Sequence, residues 1–205
     1  MNTRQPAGQV RIIGGRLRGS KLPVPDLPGL RPTGDRARET LFNWLQGDVA
    51  GARVVDLFAG SGVLGLESAS RGAAEVWLVE RDAAQARSLG ESVARLKADT
   101  VQVACADALA WLASRSERFD LAFLDPPFGG QLLAPALAAL APRLARQAWV
   151  YVEMPREADF VPPPHWRLHR ELATREARHL LLRAETPDAA ATLAGSLTGA
   201  GNDQA

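Results

Sequence analysis

The sequence predicts an α/β fold: a doubly wound, seven-stranded, mostly parallel sheet behind a small basic N-terminal hairpin. Three observations predict it. Apolar runs of strand length alternate with segments of helical periodicity from residue 53 to residue 153. Two of these runs end in ligand-type loops, Ala59-Gly60-Ser61-Gly62 and Asp125-Pro126-Pro127-Phe128. The chain has 205 residues, 46% hydrophobic and 23% charged, which suits one sizeable core rather than several.

At the N-terminus, Val10, Ile12 and Ile13 are strand formers and Gly14-Gly15 is a turn signal, so residues 9–22 read as a hairpin. Residues 23–34 are rich in Pro and Gly and read as a loop. Residues 1–40 hold eight basic side chains against three acids, a surplus of +5 in a chain whose net charge is +1. The remainder therefore carries −4, and a basic end on a slightly acidic body suggests a polyanion contact. Leu41, Phe42 and Leu45 share a face of a helix beginning near Thr33 or Asp35, either of which can cap it. Arg31, Arg36 and Arg38 are expected on its exposed side.

Residues 53–58 form the next strand, and Gly60-x-Gly62-x-x-Gly65 leads into a helix through about Arg71. This spacing matches the dinucleotide fingerprint, in which glycines admit a ligand to the backbone and the helix start offers free N–H groups. Asp56 departs from it. A carboxylate just before the loop repels a pyrophosphate and suits the ammonium of an amino-acid-like ligand. The strand over 75–80 ends in Glu80, placed to accept from both hydroxyls of a ribose. A helix over about 83–97 and a strand over 100–105 follow, then Asp107, which either accepts from an adenine amine or caps the helix through Ala113.

The strand over 119–124 stops at Asp125-Pro126-Pro127-Phe128, because proline donates no ladder hydrogen bond and holds the preceding residue extended. This makes a shelf at the carboxyl end of a strand. An exocyclic amine on a nucleobase is a poor nucleophile, its lone pair being delocalised into the ring. Asp125 and the Pro126 carbonyl can each accept one of its N–H bonds, and Phe128 can stack on the base. A helix over 131–145, a strand over 148–153 and an antiparallel pair over 166–171 and 178–183 complete the sheet. Residues 185–205 read as a disordered tail, so the organisation is 1–34, 35–184 and 185–205.

Cys105 is the single cysteine, so no internal disulfide forms, which fits a reducing cytoplasm; its apolar run predicts burial. His165, His169 and His179 are scattered, give no metal-ligand spacing and read as surface or edge residues. No apolar run approaches ~18 residues, so no membrane span is expected.

The set Asp56-Leu57-Phe58-Ala59-Gly60-Ser61-Gly62, Glu80, Asp107 and Asp125-Pro126-Pro127-Phe128 resembles the class I S-adenosylmethionine-dependent methyltransferases. It is similar to their amino-methylating branch, whose motif is Asp/Asn-Pro-Pro-aromatic. Arg11-Ile-Ile-Gly-Gly-Arg16, Lys21-Leu-Pro-Val-Pro25, Leu30-Arg-Pro-Thr33, Asp35-Arg36 and Arg38-Glu-Thr-Leu-Phe-Asn-Trp-Leu45 resemble the bacterial 16S rRNA (guanine(966)-N(2))-methyltransferase family over nearly all of residues 10–183. The resemblance implies a Rossmann-like methyltransferase domain that methylates a guanine N2 amine in small-subunit rRNA. It implies S-adenosylmethionine as methyl donor, S-adenosylhomocysteine as product and no metal. It implies that Asp56, Phe58, Gly60, Gly62, Glu80, Arg81, Ala106, Asp107 and Asp125 bind the cofactor. It implies that Asp125, Pro126, Pro127 and Phe128 hold the flipped base. Arg11, Arg16, Arg18, Lys21, Arg31, Arg36 and Arg38 are then the expected RNA contacts, in a cytoplasmic monomer acting on 16S rRNA, naked or within an assembling or assembled small subunit.

Three rivals remain at this point. A dinucleotide oxidoreductase rests on the glycine spacing, and Asp56 opposes it. A non-catalytic RNA-binding module predicts loss of the cofactor residues, which are intact. A DNA adenine or protein glutamine methyltransferase offers the same planar amine to the same shelf.

Overall fold

A computed structural model describes residues 8–24, 34–127 and 131–185. Residues 25–33 of the expected loop over 23–34, the tail beyond Glu185, and with them Arg31, Thr33 and Phe128, lie outside the described residues.

The chain opens with β1 (Gln9–Arg11) and β2 (Lys21–Pro23), paired antiparallel with Val10 opposite Leu22. The expected hairpin is there, but Gly14-Gly15 is not its tight turn. Residues 12–20 instead make a longer connection that docks on the end of α2 (Val63–Ser70). The Ser70 carbonyl accepts from Arg16 N at 2.8 Å, and the Ser70 hydroxyl accepts from Leu17 N at 2.8 Å. Gly15 has φ +72°, and a Cβ there would stand 1.9 Å from the Ser70 carbonyl oxygen, so only glycine closes this contact. Beside it the fully buried Glu67 accepts from Ile13 N at 2.7 Å and Gly14 N at 2.8 Å, and pairs with Arg71.

Next comes α1 (Asp35–Trp44), whose Leu41 and Phe42 are buried as its periodicity predicts. Its N-cap is Gly34, not Asp35. Asp35 sits in the first turn, where an acid favours the helix dipole, and bridges Arg38 at 2.6 Å and Arg11 at 3.3 Å.

Then follow β3 (Arg53–Asp56), α2, β4 (Glu75–Glu80), α3 (Ala83–Leu96), β5 (Val101–Cys105), α4 (Ala108–Ala113) and β6 (Phe119–Leu124). The expected helix over 131–145 is shorter. It is α5 (Leu133–Leu140), which tightens into a 3₁₀ turn at Ala141–Arg143 around Pro142. β7 (Leu144–Pro155) therefore starts earlier than expected, and β8 (Trp166–Ala173) and β9 (Ala177–Glu185) end the described chain.

The seven-stranded sheet has the order β5-β4-β3-β6-β7-β9-β8, parallel except for β9. The chain winds outward from β3 to β5, then returns to β6, so β3 and β6 flank the switch point where such sheets bind ligands. Successive residues alternate between two apolar clusters, as burial on both faces requires. Val54, Leu121 and Phe123 join α1, α2, α3 and the hairpin; Val55, Ala122 and Leu124 join α4 and α5. Cys105 is exposed, not buried, because it ends an edge strand. Among the described residues no helix is long and apolar enough to cross a membrane.

The Gly15 contact predicts that Gly15→Ala costs about 1–3 kcal/mol of stability, read by urea unfolding. An unchanged urea midpoint would contradict the docking of residues 12–20 on α2.

Candidate active site

A cavity of about 1020 Å³ opens at the carboxyl ends of the parallel strands. Phe58 and Gly60 after β3, Glu80 and Arg81 at the end of β4, Ala106 and Asp107 after β5, and Asp125, Pro126 and Pro127 after β6 all line it. The topology thus brings together side chains spread over seventy residues of sequence.

Hydrogen bonds from backbone to carboxylate shape the glycine loop. Glu80 Oε2 accepts from Gly60 N at 3.0 Å, and Glu80 Oε1 accepts from Asp82 N at 2.9 Å. Gln85 donates from its side-chain amide to the Gly60 carbonyl. Gly62 takes φ +73° to start α2, where a Cβ would come within 2.6 Å of Leu89. Asp56 is 2% exposed and, like Gly62, is not part of the cavity wall. Its Oδ2 accepts from Gly65 N at 3.3 Å, so it supports the loop from beneath. Asp107 does cap α4, its Oδ1 accepting from Leu109 N at 3.0 Å and Ala110 N at 3.1 Å.

The other walls include residues the sequence reading missed. Glu153 on β7, His179 on β9, the β8–β9 turn at Thr174, Arg175 and Glu176, and the start of α1 at Gly34 and Ala37 all face the cavity, beside Arg36, which the sequence did single out as an RNA contact. His179 was expected at the surface but is 4% exposed, because β9 lies between β7 and β8. Nothing local in the sequence marks it. The signal available was pairing, since His179 lies opposite Glu153 across β7 and β9. His169 is exposed and packs on Trp149 at 4.8 Å.

The expected RNA contacts divide. Arg38 is fully buried, its guanidinium donating to the Arg11 carbonyl at 2.9 Å and pairing with Asp35, so it is a structural residue and not a surface contact. Arg36 is exposed at the cavity wall. Arg16, Arg18 and Lys21 are exposed elsewhere. Arg16 donates to the Lys97 carbonyl at 3.3 Å, and Arg95 donates to the Lys21 carbonyl at 2.8 Å. That places Arg16 and Lys21 at the C-terminal end of α3, a 14-residue helix whose start borders the cavity. The separation is roughly 21 Å at 1.5 Å per residue.

Burial dominates the acid chemistry of the site. It pushes the Asp56 carboxyl up to about 7, opposed by the Gly65 N–H and reinforced by the charge of Glu80. It also raises the Asp125 carboxyl well above the ordinary range, and the charges of Glu153 and Asp56 raise it further. Among the described residues no group of three or more His, Cys, Asp or Glu side chains gathers to hold a metal ion.

Because Asp56 binds its proton more tightly folded than unfolded, its stabilising contribution is full below about pH 4 and is lost as pH rises towards 7. Asp56→Asn keeps an acceptor for Gly65 N and removes that titration. Between pH 4.5 and 8 the wild type is expected to lose more stability than Asp56→Asn, by an amount on the order of 2–4 kcal/mol in urea unfolding. Parallel losses in the two proteins would contradict the burial of an ionisable Asp56.

Comparison with known proteins agrees with this geometry. The family model described as "Conserved hypothetical protein 95" matches residues 10–182. Ribosomal RNA small subunit methyltransferase D of Escherichia coli strain K12 is 45% identical over 182 residues, covering 87% of this chain and 92% of that protein. The protein of the same name from Haemophilus influenzae is 40% identical over 180 residues, covering 85% and 93%. The solved structure of the "Putative methyltransferase yhhF" from Escherichia coli superposes with a TM-score of 0.80 at 44% identity, covering 88% of this chain and all of that one. With a matched model over almost the whole described fold, relatives at this identity and the class I methyltransferase sheet, the chain belongs to the conserved hypothetical protein 95 family of methyltransferases.

Proposed function

We propose that this protein transfers a methyl group from S-adenosylmethionine to the exocyclic N2 amine of a guanine in 16S rRNA of the small subunit, working as a cytoplasmic monomer. One observation carries the reading. The glycine loop with Glu80 and the Asp125-Pro126-Pro127 shelf face a single cavity from opposite sides of the β3–β6 switch point. The names of the relatives supply small-subunit rRNA, and the resemblance of residues 11–45 and of the shelf supplies the guanine amine.

The residues present fit the cofactor. A cavity of about 1020 Å³ lies at the top of the range of small-molecule sites, roughly 300–1,000 Å³, so it accommodates a nucleoside-sized cofactor. Glu80 is held in place by Gly60 N and Asp82 N, and a carboxylate has about four acceptor sites, so it can also take ribose hydroxyls. Asp107 spends Oδ1 on capping α4, leaving Oδ2 for an adenine amine. Phe58, Val79 and Leu109 offer apolar surface to the adenine ring.

S-adenosylmethionine supplies an electrophilic methyl on a sulfonium centre. The protein supplies position and charge. The target base leaves its stack at a cost of a few kcal/mol, and the shelf receives it. Asp125 and the Pro126 carbonyl accept the amine N–H bonds and turn the nitrogen lone pair towards the methyl, so orientation does much of the work. Asp125 aligns the amine and receives its proton only after nitrogen has attacked, when that proton has become acidic. Arg36 borders the cavity, and Arg16 and Lys21 lie about one helix length away. That span suits a large folded RNA, whose backbone can reach both.

Tritiated methyl transfer tests the function, with small subunits lacking the modification, naked 16S rRNA and DNA as substrates, followed by nucleoside mass spectrometry. N2-methylguanosine in RNA is the expected product; methyladenine in DNA would overturn the substrate. Asp125→Ala is expected to lower turnover at least about 100-fold while S-adenosylhomocysteine binds within a few-fold of wild type by calorimetry. Near-normal turnover would sink the mechanism. Arg16→Glu with Arg18→Glu should weaken RNA binding and flatten its salt slope by roughly 2. An unchanged slope would remove the hairpin from the RNA surface.

A further inference from the structure

A buried polar cluster beside Asp125 has no part in the reaction described so far. Asp125 and Glu153 follow directly on Leu124 and Val152, which are partners in the parallel β6–β7 register. The two carboxyls therefore sit side by side on the face that also carries Phe123 and Tyr151, and both line the cavity. Glu153 is 7% exposed. Tyr151 OH lies 3.1 Å from Glu153 Oε2 and 2.8 Å from His179 Nδ1, and that His nitrogen is 3.4 Å from Glu153 Oε2. The Tyr151 proton can serve one acceptor at a time. With Glu153 as that acceptor, His179 Nδ1–H donates to the Tyr151 oxygen, and the chain runs His179 to Tyr151 to Glu153. Both hydrogen bonds of such a chain point towards the Glu153 carboxylate, whose charge acts on Asp125.

We propose that Glu153 is a positioning residue for methyl transfer: clamped by Tyr151 and His179, it holds a negative charge against Asp125 and so draws the departing amine proton to the Asp125–Glu153 pair. The proposal rests on the amine-methylation reading above. The N–C bond forms as the C–S bond breaks, and the electron pair of that bond stays on sulfur. Nitrogen becomes cationic and loses one proton to Asp125, which becomes a neutral acid beside the charged Glu153. Two adjacent carboxyls hold one proton between them readily, because both cannot be ionised cheaply at close range. Among the described residues, Asp56 lies beside β6 on β3, and the cavity wall that holds the pair also carries His179 on β9, Arg175 and Glu176 at the β8–β9 turn, Arg36 at the start of α1, and Glu80, Arg81, Asp82 and Asp107 on the cofactor side.

The test compares Glu153→Gln and Glu153→Asp with the wild type, using kcat against pH for methyl transfer to small subunits. Glu153→Gln removes the charge and keeps the shape. It is expected to lower the plateau kcat about tenfold and to move the acid limb of the profile to lower pH by about one unit. KM for S-adenosylmethionine should stay within about twofold. Glu153→Asp keeps the charge and should keep the wild-type acid limb. S-adenosylhomocysteine binding reports that each variant is folded. An acid limb that stays put in folded Glu153→Gln overturns the proposal, as does an equal displacement in Glu153→Asp. If the wild type forms no N2-methylguanosine, the function reading fails instead, and the two failures are distinguishable.

Discussion

The site depends on acidic side chains that accept hydrogen bonds from backbone N–H groups. Each loop at the carboxyl edge of the sheet turns away from the ladder and leaves N–H groups that need partners. Glu80 takes Gly60 N and Asp82 N, Asp56 takes Gly65 N, Asp82 takes Gln85 N, and Asp107 takes Leu109 N and Ala110 N. The same device anchors the hairpin, where Glu67 takes Ile13 N and Gly14 N. Hydrogen bonds to ionised acceptors are roughly twice as strong as neutral ones, so Glu80, Asp82, Asp107 and Glu67 fix loop shape with few atoms.

Gathering carboxyls has an electrostatic consequence. Asp125 and Glu153 line the cavity while Asp56 is buried outside its wall; burial raises Asp56 and Asp125, and the charge of Glu80 adds to the first, those of Glu153 and Asp56 to the second. A region that resists holding negative charge becomes a good proton acceptor once it is ionised. It also suits a ligand that brings positive charge, and a sulfonium or an ammonium is such a ligand. The folding cost of holding Asp56 in that state is offset by the apolar layers above and below the sheet.

The succession of strands and helices along the chain was legible because its signals are local. Glu75–Glu80 and Phe119–Leu124 are apolar runs bounded by turn residues, and the strands have the expected limits. The cavity-lining acids Glu80 and Asp125 were legible because they sit at the ends of those runs, next to residues that stop a strand or open a loop. Arg38, Cys105 and His179 were not, because burial depends on what packs against a residue from elsewhere. Arg38 is covered by the hairpin carbonyl of Arg11, which the helix pattern does not reveal. Cys105 is uncovered because its strand is an edge, and the sheet order decides that.

The sequence by itself determined the α/β alternation, the glycine loop and the Asp-Pro-Pro shelf, since steric rules at glycine and proline and hydrophobic period act over a few residues. The tertiary structure alone decided which of these meet. It set Glu153 beside Asp125 and opposite His179 through strand register, and it carried Arg16 and Lys21 to the far end of α3 through the docking of residues 12–20 on Ser70. Register and docking are chosen by the whole apolar core, because a slip of one residue would turn every buried side chain of a strand to the other face.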